Sequence, residues 1–306
     1  MSNTDTFQSP LTVSAKNGFA YHFKRFFVRS RGDSPAKRVL IHAVLILACM
    51  IAVYPVLRVF TISIRPGNRM LSTDMAIIPQ DATFQSYANV FTNTQFLLWI
   101  WNSLIITLAT AAIGVCIAAT SAYAFSRWNF PGKRVGMIGL LATQMIPPGM
   151  LMIPIYIIAV RLNLINTWRG IAIAYSVGSV PFSIWILKGY YDTIPYELEQ
   201  AAMIDGASRL GSFYRIILPL STPALAIAFL FNFTQAWNEF MLARILLQRP
   251  ELATWPLGLN RMIVQFQTQW DEFSAASMMI SVPVMVLFLL SSKWLISGLT
   301  LGSVKG

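Results

Sequence analysis

Charge is scarce in this chain of 306 residues: 11% are Asp, Glu, Lys or Arg, while 56% are apolar. Soluble domains carry about 25% charged residues. A soluble fold of this length could not hide so much apolar surface, so the bilayer is the expected solvent. Cysteine is limited to Cys49 and Cys116, both inside apolar runs, which argues against a disulfide framework. His22 and His42 are too few for a histidine-based metal cluster, and no metal site is expected. No G-x-x-x-x-G-K-S/T phosphate loop is present. No grouping of His, Asp, Cys or Ser resembles a catalytic set, so no catalytic residue is assigned.

Long apolar runs take the place of what is missing. A helix needs roughly 20 apolar residues to cross the hydrocarbon core. Six runs qualify, at about 39–62, 96–125, 136–160, 170–187, 216–238 and 273–292. Apart from His42 and Arg58 in the first, they hold no Asp, Glu, Lys, Arg or His. The expectation is an all-α polytopic bundle of six transmembrane helices. No repeat relates its halves, so residues 36–306 read as one domain behind a basic tail at 1–35.

The formal net charge of +11 has a topological explanation. Lys and Arg favour cytoplasmic loops. With the amino terminus inside, 15 of them fall on the cytoplasmic side and 8 outside. Both termini are therefore expected in the cytoplasm, and no nucleic-acid partner is needed to explain the charge. The amino-terminal stretch shows no small-residue cleavage site ahead of the first run, so it is not read as a cleavable signal. Within it, residues 19–27 mix aromatics with Lys24 and Arg25. They suit either an amphipathic surface helix or a solvated tail that sets orientation.

One cytoplasmic loop, about 188–217, is far longer than a connector needs to be. Pro195 suits a helix start, and Glu197 and Glu199 suit its positive end. Leu198, Ala201, Ala202 and Asp205 fall on adjoining faces at i, i+3, i+4 and i+7. Gly206 ends or kinks this helix. A second short helix follows, with Leu210, Phe213, Ile216 and Ile217 as its apolar side.

This loop resembles the signature of ABC importer permeases: a Glu-Ala-Ala triplet, three residues, Gly, nine residues, then Ile-x-Leu-Pro. Ala201, Ala202, Gly206, Ile216, Leu218 and Pro219 stand at that spacing. Gln200 replaces the triplet's Glu, with Glu199 just before it. The resemblance implies a coupling helix, including Asp205, that docks in a cleft of an ATPase subunit. It also implies that ATP and Mg are held by those partner subunits and that this chain binds no cofactor of its own. Further stretches resemble the carbohydrate, maltose-type, branch: Pro55 with Ser63-Ile-Arg-Pro-Gly-Asn68, Ser121-Ala-Tyr-Ala-Phe-Ser126 followed by Phe130-Pro-Gly-Lys133, and Trp237-Asn238-Glu239-Phe240. The ending Gly298-Leu-Thr-Leu-Gly-Ser-Val-Lys-Gly306 is similar to that of the family's second permease. It implies a tail (297–306) whose Ser303, Val304, Lys305 and Gly306 contact the ATPases. The implied assembly holds a second permease subunit, two ATPase subunits and a periplasmic or lipid-anchored sugar-binding protein.

Polar groups within spans mark candidate solute contacts, because lipid tolerates them poorly. Asn102, Gln144, Asn232, Gln235 and Asn238 are such groups; for Asn102, interhelical hydrogen bonding is the preferred reading. Gln144 precedes the kinking pair Pro147 and Pro148, and Gly178 with Pro181 forms a second expected weak point. Asn232, Gln235 and Glu239 share a helical face, with Trp237 and Asn238 beside it. Amides, a carboxylate and an aromatic ring suit sugar recognition. In the external loop of about 239–272, the resemblance sets Val264, Gln265, Phe266, Gln267 and Thr268 where a loop reaches into the binding protein; a plain connector is the other reading. The expected function is ATP-driven import of a sugar or oligosaccharide, such as maltose, maltodextrin or another α-glucoside, by alternating access. The rivals are an ion-coupled secondary transporter, or an importer of a non-sugar solute such as glycerol phosphate.

Overall fold

A computed structural model describes residues 35–67, 76, 78–264 and 268–301. All regular structure among them is helical. The helices are α1 (Pro35–Ser63), α2 (Gln85–Asn93), α3 (Phe96–Arg127), α4 (Lys133–Gln144), α5 (Pro148–Arg161), α6 (Trp168–Tyr191) and α7 (Glu197–Ile204). They continue with α8 (Arg209–Leu220, which contains a π-helical turn at Phe213–Ile217), α9 (Thr222–Trp237), α10 (Met241–Leu246), α11 (Trp255–Arg261) and α12 (Trp270–Leu301).

Four helices are long and apolar enough to cross a membrane: α1, α3, α6 and α12. Two further pairs qualify if each bent pair is counted as one span. These are α4 with α5, bent by 103°, and α8 with α9, bent by 78°. The first bend falls at the expected kinking pair and divides the run at 136–160 into two helices. Pro147 and Pro148 end α4 at Gln144 and restart the chain as α5, because a residue before proline avoids the helical region. The second bend corrects the expected run at 216–238 and falls at Ser221, between Pro219 and Pro223. By contrast, Gly178 and Pro181 leave α6 uninterrupted, against the expected weak point.

The chain divides into two compact units, residues 1–58 and 59–306. In the first, the described residues form one apolar helical stretch with exposed Val39, Leu40, Ile46 and Ile51, a surface suited to lipid.

The second unit is built on α3, α6 and α9. Without a hydrophobic force between helices in lipid, small residues that permit close approach carry the packing. Ala111, Gly114, Ala118 and Ala122 run down α3, and Ala224, Ala228, Asn232 and Ala236 run down α9 at every fourth residue; all are buried. Ser179, Ser183 and Leu187 face them from α6. At the midpoint the Asn232 amide donates to Ser183 Oγ and to Ala228 O, each at 2.7 Å. Gly114 admits it: a Cβ there would stand 2.6 Å from Asn232 Oδ1.

The 239–272 segment folds back over one end of α3. The Asn102 amide donates to Glu251 O (2.8 Å) and Ala253 O (3.0 Å), and the Trp255 amide donates to Ser103 Oγ (2.8 Å). Ser86 and Asn89 of α2 donate to Asp271 and Glu272 at the start of α12. Gly258 of α11 lies against the buried Trp99 ring, so that a Cβ would fall 2.0 Å from Trp99 Cδ2. The ring is pinned by the core and cannot retreat. Gly258→Ala is therefore expected to cost about 1–3 kcal/mol by overpacking, read as a lower unfolding midpoint in detergent, whereas alanine at the open Gly139 leaves the midpoint unchanged.

Candidate functional site

Two places gather the residues singled out from the sequence. The first is the 188–220 segment, at the end of the bundle opposite the 250–258 segment. The helix α7 spans Glu197–Ile204 and stops where Gly206 adopts a left-handed φ of 89°. The Ala207 amide donates to Ala202 O (2.9 Å) and the Gly206 amide to Met203 O (3.1 Å), which satisfies the helix's last carbonyls. Gln200, Ala201, Asp205 and Gly206 are exposed, Ala202 is half-buried, and Glu199 is buried. Leu198 and Ile204 add apolar surface to the outer face, Ile204 at 86% exposure.

Downstream, Phe213 and Ile217 are buried, Ile216 and Leu218 are half-buried, and Leu210 and Pro219 are exposed. The expected apolar side is corrected here at Leu210. Leu210 lies ahead of the π turn, in the first turn of α8, and stays outside the buried face that Phe213 and Ile217 form.

Glu199 turns inward. Its Oε2 accepts from Tyr123 Oη at 2.6 Å, and its Oε1 accepts from Arg127 Nε in a buried ion pair. In the sequence Arg127 counts only as one of the charges on the cytoplasmic side, and Tyr123 stands only within the Ser121–Ser126 stretch. Their spacing of four, which stacks them on one face at the end of an apolar helix, was the available signal.

The second place is a cavity of about 330 Å³ between α4, α5, α6 and α9, lined by Gln144, Tyr175, Gly178, Phe231, Gln235 and Glu239 among others. Three of the six residues assigned to a solute path meet here: Gln144, Gln235 and Glu239. The other three point elsewhere. Asn232 is sealed in the α3–α6–α9 seam. Trp237 is buried, stacked on Phe233 (5.5 Å between centroids) and beside Trp255 (6.0 Å). With exposed Asn238 it borders a separate depression against α12.

Of the face expected to carry residues 232, 235 and 239, Gln235 and Glu239 line one cavity on either side of the end of α9 at Trp237, and Asn232 turns into the seam instead. Beyond that end, Glu239 caps α10: its carboxylate accepts from the amides of Leu242 (2.9 Å) and Ala243 (3.2 Å). Burial pushes this carboxyl above the usual range, and those amides offset part of the rise. The Tyr175 hydroxyl donates to Glu239 O at 3.3 Å.

In the 239–272 segment, Thr268 Oγ donates to Val264 O (2.8 Å) and the Val264 amide donates to Thr268 Oγ (3.0 Å). Gln265, Phe266 and Gln267 lie outside the described residues, as do residues 19–27 and the tail residues Ser303, Val304, Lys305 and Gly306. Among the described residues no group of His, Cys, Asp or Glu could hold a metal ion.

Apolar helices around a seam of small residues, with polar side chains turned into a cavity, define a multi-pass integral membrane protein of the permease class. The chain belongs to the family of binding-protein-dependent transport system inner membrane components, whose family model matches residues 112–300. It is similar to the galactooligosaccharides transport system permease protein GanQ of Bacillus subtilis (37% identity, covering 87% of this chain and 96% of the relative). It is also similar to the maltose/maltodextrin transport system permease protein MalG of Escherichia coli K12 (33% identity, 89% and 97%). Among solved structures it is similar to a chain of a bacterial ABC transporter involved in the import of the acidic polysaccharide alginate. That match has a TM-score of 0.74 and 25% identity, over 86% of this chain and 99% of the other.

The two amides three residues apart on α9 separate by experiment. Asn232→Ala removes the interhelical bond to Ser183 Oγ and opens a void in the seam, at an expected cost of about 1–3 kcal/mol. Gln235→Ala, at an exposed position, leaves the unfolding midpoint where it was. Thermal unfolding of both purified variants checks the contrast.

Proposed function

We propose that this chain is one of two membrane-spanning permease subunits of an ATP-driven, binding-protein-dependent importer of oligosaccharides in the bacterial inner membrane. The observation that carries this is the outward face of α7 and its flank: Leu198, Ala201, Ile204 and Leu210 expose apolar surface at one end of the bundle, with Gly206 closing the helix. Exposed apolar surface of this kind marks a protein–protein contact. The cargoes that the relatives' names carry support an oligosaccharide rather than a monosaccharide, a peptide or glycerol phosphate.

In this reading each bent pair counts as one span, giving six, with α7 and both termini on the cytoplasmic side. Residues 36–306 are the transmembrane domain and 1–35 a basic tail. A second permease completes the path, and two ATPase subunits hold ATP and Mg. The binding protein delivers solute from the opposite face, near 264–268. ATP-driven closure of the ATPases displaces α7, and the bundle alternates its access. Gln144 and Gln235 supply amide donors and acceptors for solute hydroxyls along the cavity, and Tyr175 and Phe231 supply ring surface. The residues of this chain bind, guide and move; bond cleavage belongs to the ATPases.

The test is co-expression with the ATPase and second permease subunits of the proposed importer, purified through a tag on the ATPase. Wild type is expected to co-purify with both, and oligosaccharide-loaded binding protein to raise ATP hydrolysis. Ile204→Asp changes a largely exposed side chain, so it leaves the fold intact and loses the ATPase. Wild type purifying alone, with Ile204→Asp behaving identically, overturns the reading in favour of an ion-coupled carrier.

A further inference from the structure

Only one of the two acidic residues in the first turn of α7 faces solvent. Glu197 is exposed, and Glu199 is buried at 2%. Its two partners lie on α3, 76 and 72 residues earlier in the chain. Arg127 does more than pair with it. One guanidinium nitrogen donates to Ile194 O at 3.1 Å, and the group lies over the Tyr196 ring, 5.9 Å from the centroid. Arg127 thus grips both α7 and the chain that enters it.

Tyr123 grips the rest. Its ring packs against Phe213 (4.6 Å), Trp128 (5.2 Å) and Tyr191 (6.5 Å), and its hydroxyl lies 3.4 Å from Arg209 O. One patch at the end of α3 therefore touches the end of α6, the entry to α7, α7 itself and the start of α8. Nearby, Ser126 Oγ donates to Asp192 Oδ1 at 2.7 Å, fastening α3 to the chain just beyond α6.

A buried ion pair of this sort contributes little net stability compared with apolar packing, but it tolerates few other geometries, because either charge left alone is heavily penalised. It acts as a joint of fixed length. The covalent route from α7 to α9 is softer. It runs through a left-handed glycine, a π-helical turn and the 78° bend.

We propose that Glu199, held by Arg127 and Tyr123, is the positioning residue through which displacement of α7 reaches α3. The family stretch Ser121–Ser126, with the arginine that follows it, thereby acquires a role: it is the receiving end of the joint. Gln200, exposed on the outer face, is left for the docked partner. This inference rests on the permease reading and deepens it. Docking and transmission become separate tasks of adjacent residues, the outward face holding the ATPase and the inward carboxylate moving the bundle.

The experiment uses the full complex in proteoliposomes, with binding protein and oligosaccharide. It compares wild type, Tyr123→Phe, Glu199→Gln and the double variant. Three quantities are read: ATPase co-purified per permease, ATP hydrolysis stimulated by the binding protein, and solute transported per ATP. Tyr123→Phe removes one hydroxyl and keeps the ring packing, so it folds even where Glu199→Gln does not. Both single variants are expected to retain the ATPase. Transport per ATP falls about tenfold, on the scale of one lost hydrogen bond to a charged group. The double variant falls no further, since both act through one joint. Wild-type transport per ATP in Tyr123→Phe overturns the proposal, as does a loss of transport that only tracks a loss of assembly. Wild type without binding-protein-stimulated hydrolysis overturns the permease reading instead, a distinguishable failure.

Discussion

Close approach of α3, α6 and α9 along small side chains is the constraint on which the second unit depends. Lipid offers no hydrophobic reward for bringing helices together, so dispersion contacts and a few internal hydrogen bonds must suffice. Alanine at every fourth position of α9 lets backbones draw near, and Gly114 makes room for the one large polar group in the seam. Asn232 then spends its donors on Ser183 and its own helix. With the seam closed, Gln235 turns to the cavity on one flank, and Asn102, Tyr123 and Arg127 make their contacts at the ends of the bundle.

The ends are organised differently, which fits two different tasks. At one end, Asn102 and Ser103 bind backbone groups of the 250–258 segment, neutral contacts that lay a cover over α3. At the other, a buried carboxylate is paired with a buried guanidinium. Glu199, Arg127 and Tyr123 tie a solvent-facing helix to the interior of the bundle. Neutral contacts suffice for a lid, whereas a buried charge pair resists any change in its own geometry. Force applied to α7 thus has a stiff path inward. Proline-made bends at 145–147 and at Ser221 supply the breaks around which such a bundle can rearrange.

Much of this was legible in the residues. Spans could be read because lipid excludes charge over a known thickness, a rule that needs no neighbours. The α7 loop could be read because six positions stand at fixed offsets. The break after Gln144 was legible as paired prolines. Other features were not. Asn232 and Gln235 are three apart on one helix, and periodicity put them on one face, yet one is sealed in a seam and the other lines a cavity. Glu239 stays beside Gln235 in that cavity although α9 stops two residues earlier. Spacing put Leu210 on the apolar face of α8, yet it is exposed, and no pattern in the sequence announced the π turn beyond it.

Local chemistry along one chain thus decided the class of the protein, its apolar runs, the break at Pro147 and Pro148 and the position of the motif loop, since each depends on composition and spacing within a single segment. Tertiary packing alone decided which polar side chains are structural and which remain available. Glu199 and Arg127 stand 72 residues apart, and nothing in either segment names the other. Their union depends on how three helices close around a seam, and that closure is a property of the whole bundle.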